Sequence, residues 1–157
     1  MALQHDMVTQ EYIEIIALLE KENRVARVKD IACKRGVTRS SVSIALNQLA
    51  KKSLITHESY SHVTLTPLGR KLAQQLDLRH QAVKLFLTTV LGLPESVAEH
   101  DACKFEHLIS SETLAAITKF LTSIEHCPKA LSDVIKSIQH CGRKKTESVE
   151  CTHCPVA

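Results

Sequence analysis

Apolar positions at the start of the chain recur with helical spacing. Between Thr9 and Lys21 they fall at Tyr12, Ile13, Ile16, Ala17, Leu18 and Leu19, a broad apolar face on one helix. Thr9 is the expected N-cap of that helix. From Val28 the pattern predicts a short helix that stops at Gly36, a residue suited to the left-handed turn after a helix. Thr38 then caps a longer helix, from about Arg39 to Lys52, with Val42, Ile44, Ala45, Leu46 and Leu49 apolar. A short helix, a glycine turn and a longer helix form a helix-turn-helix. The period then changes. Leu54 to Glu58 and His62 to Thr66 are short β-branched runs on either side of Ser59, Tyr60 and Ser61, which predicts a hairpin. A hairpin in that place is the wing of a winged helix, with His57 and His62 near its turn.

Helical spacing returns with Thr66 as N-cap and Pro67 as the first helical residue, and it continues to about Leu91. A helix restarts after Leu93-Pro94-Glu95 and includes the segment Val97 to His107. Another follows Ser110-Ser111-Glu112 and runs to Ile124, with Leu114, Ile117, Phe120, Leu121 and Ile124 at core or subunit-contact spacing. A last helical segment is expected from Ala130 to Ile138, and then a polar tail without periodicity. The expected fold is mainly α. Residues 1–70 form a winged helix-turn-helix, residues 71–139 a helical dimerisation and metal-binding domain, and residues 140–157 a flexible cysteine-containing tail.

Composition supports this. The 157 residues are 44% apolar but only 3% aromatic, without Trp, which suits a helical core of Leu, Ile, Val and Ala. No apolar run approaches the length of a membrane span, and Met1-Ala-Leu-Gln-His-Asp lacks a signal peptide's basic start and apolar core. The expected compartment is the cytoplasm, where six cysteines are reduced thiols or metal ligands rather than disulfides. Charge is unevenly spread. From Lys21 to Lys52 there are nine basic residues against two acids, whereas Glu95 to Glu112 holds five acids against Lys104. A basic half beside an acidic half fits nucleic acid on one and cations on the other. In the basic half, Arg39, Ser40, Ser41 and Ile44 open the second helix of the motif and are candidates for reading bases. Arg27, Thr38, Lys51 and the wing are candidates for phosphate contact.

In the acidic half, Cys103, Glu106 and His107 fall at i, i+3 and i+4 on one helical face. A thiolate, a carboxylate and an imidazole together form half of a site for a borderline first-row divalent ion. Read alone, the same pattern also describes a buried cysteine beside two surface polar residues. Glu11 with Glu14, and His80, are the places that offer further ligands. In the tail, Cys151-Thr-His-Cys154 is a C-x-x-C pair, and Cys127 and Cys141 bring its thiols to four. Such a group suits zinc or an iron–sulfur cluster, although the overall spacing matches no known motif.

Six pieces carry a family resemblance. They are Glu11-Tyr12-Ile13-Glu14, Asp30-Ile31-Ala32, Ser41-Val42-Ser43, Leu65-Thr66-Pro67-Leu68-Gly69, Arg79-His80 and Cys103-Lys104-Phe105-Glu106-His107-Leu108-Ile109-Ser110. In this order and spacing, from about Thr9 to Leu121, the chain resembles the diphtheria toxin repressor and manganese transport regulator family. The resemblance implies a metal-activated, homodimeric repressor that binds a palindromic operator in double-stranded DNA. It implies that Glu11, Glu14, His80, Cys103, Glu106 and His107 are metal ligands. Glu11 and Glu14 look like the manganese type and Cys103 like the iron type. At the ancillary site of the iron type, Lys84 stands in place of an acid and Glu99 in place of a histidine. The SH3-like third domain of longer members has no counterpart here. A thiolate favours later ions, so Fe²⁺ is expected ahead of Mn²⁺, with other divalent first-row ions binding in vitro. The alternative is a winged-helix regulator that senses redox state or an iron–sulfur cluster through the tail cysteines. An enzyme using metal-bound water is not expected, because no nucleophile–base set is visible and the ligands would saturate the ion.

Overall fold

A computed structural model describes residues 6–23, 25–57, 62–126 and 133–137. The elements run α1 (Met7–Asn23), α2 (Val28–Arg35), α3 (Arg39–Lys51), β1 (Ile55–His57), β2 (Val63–Leu65), α4 (Pro67–Thr89), α5 (Glu95–Leu108) and α6 (Ser111–His126). Residues 133–137 are also helical. The wing tip at residues 58–61 and the cysteines Cys127, Cys141, Cys151 and Cys154 lie outside the described residues. The chain divides into two compact units, Met1–Arg79 and His80–Ala157.

In the first unit, α1 begins three residues earlier than Thr9 as its cap would place it. Asp6 is the cap: its carboxylate accepts from the Thr9 backbone N–H at 2.8 Å and from the Lys52 ammonium at 3.0 Å. The Thr9 N–H, and after it Lys52, hold the Asp6 carboxyl down to about 2. Thr9 is not a cap but a buried linker, its hydroxyl donating to Asp6 at 3.0 Å and accepting from Lys52 at 2.9 Å. The sequence pattern missed this because Met7 and Val8, which open the helix, are about half exposed and leave no apolar phase to read.

Gly36 ends α2 at φ 70°, and its N–H and that of Val37 close onto the Ala32 carbonyl at 3.0 and 3.1 Å. Thr38 caps α3 by accepting from the Ser41 N–H at 3.2 Å. Tyr12, Ile13, Ile16 and Leu19 of α1, Ile31 and Ala32 of α2, and Val42, Leu46 and Leu49 of α3 form one buried core with Leu72 and Leu76. Each large aliphatic side chain there stabilises the unit by roughly 1.5–3 kcal/mol. The wing strands pair antiparallel, Ile55 with Leu65 and His57 with Val63, and Ala26 forms a bridge to Val63. Val63 and Leu65 are buried while Thr64 between them is half-buried, the alternation of a strand with one face on a core. Glu20 of α1 holds the returning strand, accepting from the Leu65 N–H at 2.8 Å and from Arg70 at 2.7 Å.

The start of α4 is bolted to the exit of α3. Thr66 accepts from the Gly69 N–H at 3.1 Å and donates to the carbonyls of Ser53 and Leu54 at 2.8 and 3.1 Å. Gly69 is required by proximity, since a Cβ there would lie 2.1 Å from the Leu54 carbonyl oxygen. In the second unit, Val83 and Leu87 of α4 pack with Ala98 and Ala102 of α5. Two alanines one turn apart let the helices approach closely. Ser110 caps α6, accepting from the Thr113 N–H at 3.1 Å. Among the described residues, no helix is long and apolar enough to cross a membrane.

The Gly69 contact gives a direct test. Gly69→Ala is expected to destabilise the first unit by at least about 2 kcal/mol, because backbone rather than a movable side chain must give way. Chemical denaturation of the variant beside the wild type measures this.

Candidate functional site

The second unit builds a polar group at the end of its apolar seam. The buried side of α5 reads Ala98, Ala102, Glu106, at i, i+4 and i+8. On α4, His80, Val83 and Leu87 follow at i, i+3 and i+7 and share a face in the same way. The seam that is Val83 and Leu87 against Ala98 and Ala102 therefore continues as His80 against Glu106. Glu106 is 2% exposed, an extreme position for a carboxylate. Its Oε2 lies 3.1 Å from Nδ1 of His80, and its Oε1 lies 3.6 Å from Nε2 of His107, whose side chain is also buried.

This arrangement reverses the bland reading of Cys103, Glu106 and His107. The cysteine is the exposed member, and the carboxylate and the imidazole are the buried ones. A carboxylate removed from water needs compensating charge beside it. Two imidazoles supply either protons or lone pairs, and lone pairs suit a divalent cation placed among them. Two ligands bonded at about 2.1 Å and at right angles stand about 3 Å apart, close to the His80–Glu106 separation. The donor set of His80, Glu106 and His107 thus fits a borderline divalent metal ion. Cys103 shares α5 with two of these residues but is exposed.

On the outer side of His80 the group continues. Nε2 of His80 is 3.2 Å from Oε1 of Glu99, and Oε2 of Glu99 is 2.8 Å from the Lys84 ammonium. Lys84 also reaches Glu95 at 3.0 Å. Glu99, and then Glu95, push the Lys84 ammonium up, and Lys84 in turn holds the Glu99 carboxyl below the usual range. By the resemblance Lys84 and Glu99 stand at ancillary-site positions in place of an acid and a histidine, and that substitution alone does not show that they pair. The available signal was spacing: Lys84 follows His80 by one turn, and Glu95 and Glu99 are one turn apart.

In the first unit, Glu11 and Glu14 are half-buried, one turn apart on α1. Glu11 pairs with Arg35 of α2, whose guanidinium also lies 5.0 Å from the Tyr12 ring centre. Arg27, Thr38, Arg39, Ser40, Ser41, Ile44 and Lys51 are all exposed. Ile44 is 64% exposed and lies on the same face of α3 as Ser40 and Ser41. The Thr38 hydroxyl is occupied by capping and by Ser40 and Ser41, each 2.9 Å away. Asn47 was missed as a base-reading candidate. It is exposed and lies three residues after Ile44 and seven after Ser40, on the same stripe of α3.

Two family models match the chain one after the other. Residues 6–63 match the iron dependent repressor N-terminal DNA binding domain, and residues 66–135 match the iron dependent repressor metal binding and dimerisation domain. The transcriptional regulator MntR of Escherichia coli O6:H1 is 41% identical over 110 residues, 70% of either chain. The HTH-type transcriptional regulator MntR of Geobacillus kaustophilus is 34% identical over 130 residues, covering 81% of this chain and 92% of the relative. A solved manganese-dependent transcriptional repressor in complex with manganese is 29% identical, with a TM-score of 0.66 over 73% of this chain and 52% of that one. The chain spans about half the length of the solved repressors it matches. These relatives are transcriptional regulators and not enzymes. With both domain models matched in order and relatives this similar, the chain belongs to the iron-dependent repressor family, that of the diphtheria toxin repressor and the manganese transport regulators.

Proposed function

We propose that the protein is a metal-activated transcriptional repressor that binds a palindromic DNA operator as a homodimer. The observation that carries this reading is the buried Glu106 carboxylate with His80 at 3.1 Å and His107 at 3.6 Å. In this reading His80, Glu106 and His107 are ligands, with Cys103 and the α1 acids Glu11 and Glu14 as further donors. When bound, the divalent ion supplies the positive charge that lets these acids be held together. Without that charge, Glu106 has the imidazoles of His80 and His107 beside it and Glu11 stays paired with Arg35. Metal controls the DNA-binding state only to the extent that these ligands hold it more tightly in that state.

On the DNA side, the exposed stripe of α3 reads bases. Arg39 supplies a guanidinium, Ser40 and Ser41 supply hydroxyls, and Ile44 supplies an apolar surface suited to a thymine methyl. Arg27 and Lys51 supply phosphate contacts. Two copies related by a twofold axis read half-sites about one helical turn, or a multiple, apart.

The ion is Fe²⁺ ahead of Mn²⁺ if the Cys103 thiolate joins the ligands, because sulfur favours the later metal. Several relatives are named as manganese regulators, which supports Mn²⁺ as the competing ion.

Three expected outcomes test the reading. Glu106→Gln or His107→Ala loses metal-dependent retardation of the protein's own promoter, with the ion's affinity falling on the order of 100-fold or more, while the dimer persists by size exclusion. Metal dependence that survives in both variants would refute the site. Arg39→Ala weakens promoter binding about tenfold or more without changing metal affinity, by fluorescence anisotropy; equal loss of both would indicate misfolding. In an anaerobic gel-shift titration with a chelator control, Fe²⁺ retards the promoter at lower concentration than Mn²⁺. The reverse order would hand selectivity to Glu11 and Glu14.

A further inference from the structure

His80 is held from both sides. Glu106 faces Nδ1 at 3.1 Å and Glu99 faces Nε2 at 3.2 Å. An ionised carboxylate only accepts, so each one can take a hydrogen bond from the ring nitrogen that faces it, and the orientation of the ring depends on both. Glu106 is fixed by burial. Glu99 is not: its side chain is 56% exposed and would rotate freely in water. What restrains it is Lys84, whose ammonium takes Oε2 at 2.8 Å and leaves Oε1 on the ring. Glu95 holds Lys84 from its other side at 3.0 Å.

We infer that Lys84 is a positioning residue for the metal centre: by anchoring Glu99 against Nε2 of His80 it holds the imidazole ring so that Nδ1, the nitrogen beside Glu106, is the one turned toward the ion. Lys84 pairs with Glu99 and Glu95 and acts through Glu99. Exposed ion pairs of this kind add little to stability, so the role lies in the orientation of His80 and not in the strength of the fold. Ligand histidines commonly donate their second N–H to a carboxylate, and loss of that partner costs on the order of 10–100-fold in metal affinity. An exposed partner belongs at the lower end of that range. The inference rests on the metal-centre reading above.

The test uses the full reduced chain with Mn²⁺ alone as the probe, since manganese has little affinity for the other thiols. Free Mn²⁺ is counted by electron paramagnetic resonance, and the ring of His80 is followed by nitrogen-15 NMR in the metal-free protein, assigned with His80→Gln. Lys84→Ala is expected to weaken Mn²⁺ about tenfold and to lose the slowly exchanging Nε2 proton. Lys84→Arg, which keeps the charge and the reach, is expected to restore both. Because Lys84 acts through Glu99, Lys84→Ala combined with Glu99→Gln binds no more weakly than Glu99→Gln alone. Affinity within twofold of wild type in Lys84→Ala, or multiplied losses in the double variant, would overturn the inference. Glu106→Gln separates the two readings. If it abolishes Mn²⁺ binding while Lys84→Ala does not affect it, only the positioning role falls. If it leaves binding unchanged, the metal centre and the positioning role fall together.

Discussion

The second unit depends on a single unfavourable placement, the carboxylate of Glu106 withdrawn from water. No apolar packing explains it, because a leucine there would continue the stripe of Ala98 and Ala102 at no electrostatic cost. A buried carboxylate persists only where neighbouring charge or hydrogen bonding compensates its lost hydration. That requirement accounts for the polar shell around it: His107 next to it in the chain, His80 across the seam, and Glu99 and Lys84 behind His80. The small side chains of Ala98 and Ala102 are part of the same arrangement, since close approach of α4 and α5 brings His80 within reach. Packing and chemistry in this unit are therefore one design, with the apolar seam setting distances for the polar end.

The first unit solves a different problem. Its three helices, its wing and the first turns of α4 close a complete aliphatic core, and its chemistry is left outside on the exposed face of α3. Ile44 marks the change, a large apolar side chain in solvent on a helix whose Val42, Leu46 and Leu49 are fully occupied inward.

Much of this was legible in the residues. Gly36, Thr38 and the Thr66-Pro67 pair announced their turns and caps because each acts through local backbone geometry, which depends on a few adjacent residues. The three-residue and four-residue spacing of Cys103, Glu106 and His107 predicts a shared face of a helix, and the helix is present, with Cys103 exposed and the side chains of Glu106 and His107 buried. The spacing did not reveal which members of that face are buried, because burial is set by what packs against the helix, and that partner is distant in sequence. The same limit hid Asp6, whose role depends on Lys52, and the Lys84–Glu99 contact, which joins two helices. Glu11 was legible as a candidate ligand, but its pairing with Arg35 was not.

The joint around Thr66 and Gly69 has a mechanical meaning. The hydroxyl of Thr66 ties the exit of α3 to the entry of α4, and Gly69 lies against the Leu54 carbonyl with no room for a single added carbon. A helix clamped this tightly at its first turn cannot swivel against the helix before it. Torsion in the first turn of α4 therefore reaches the end of α3 directly, because the joint between them has no slack to absorb it.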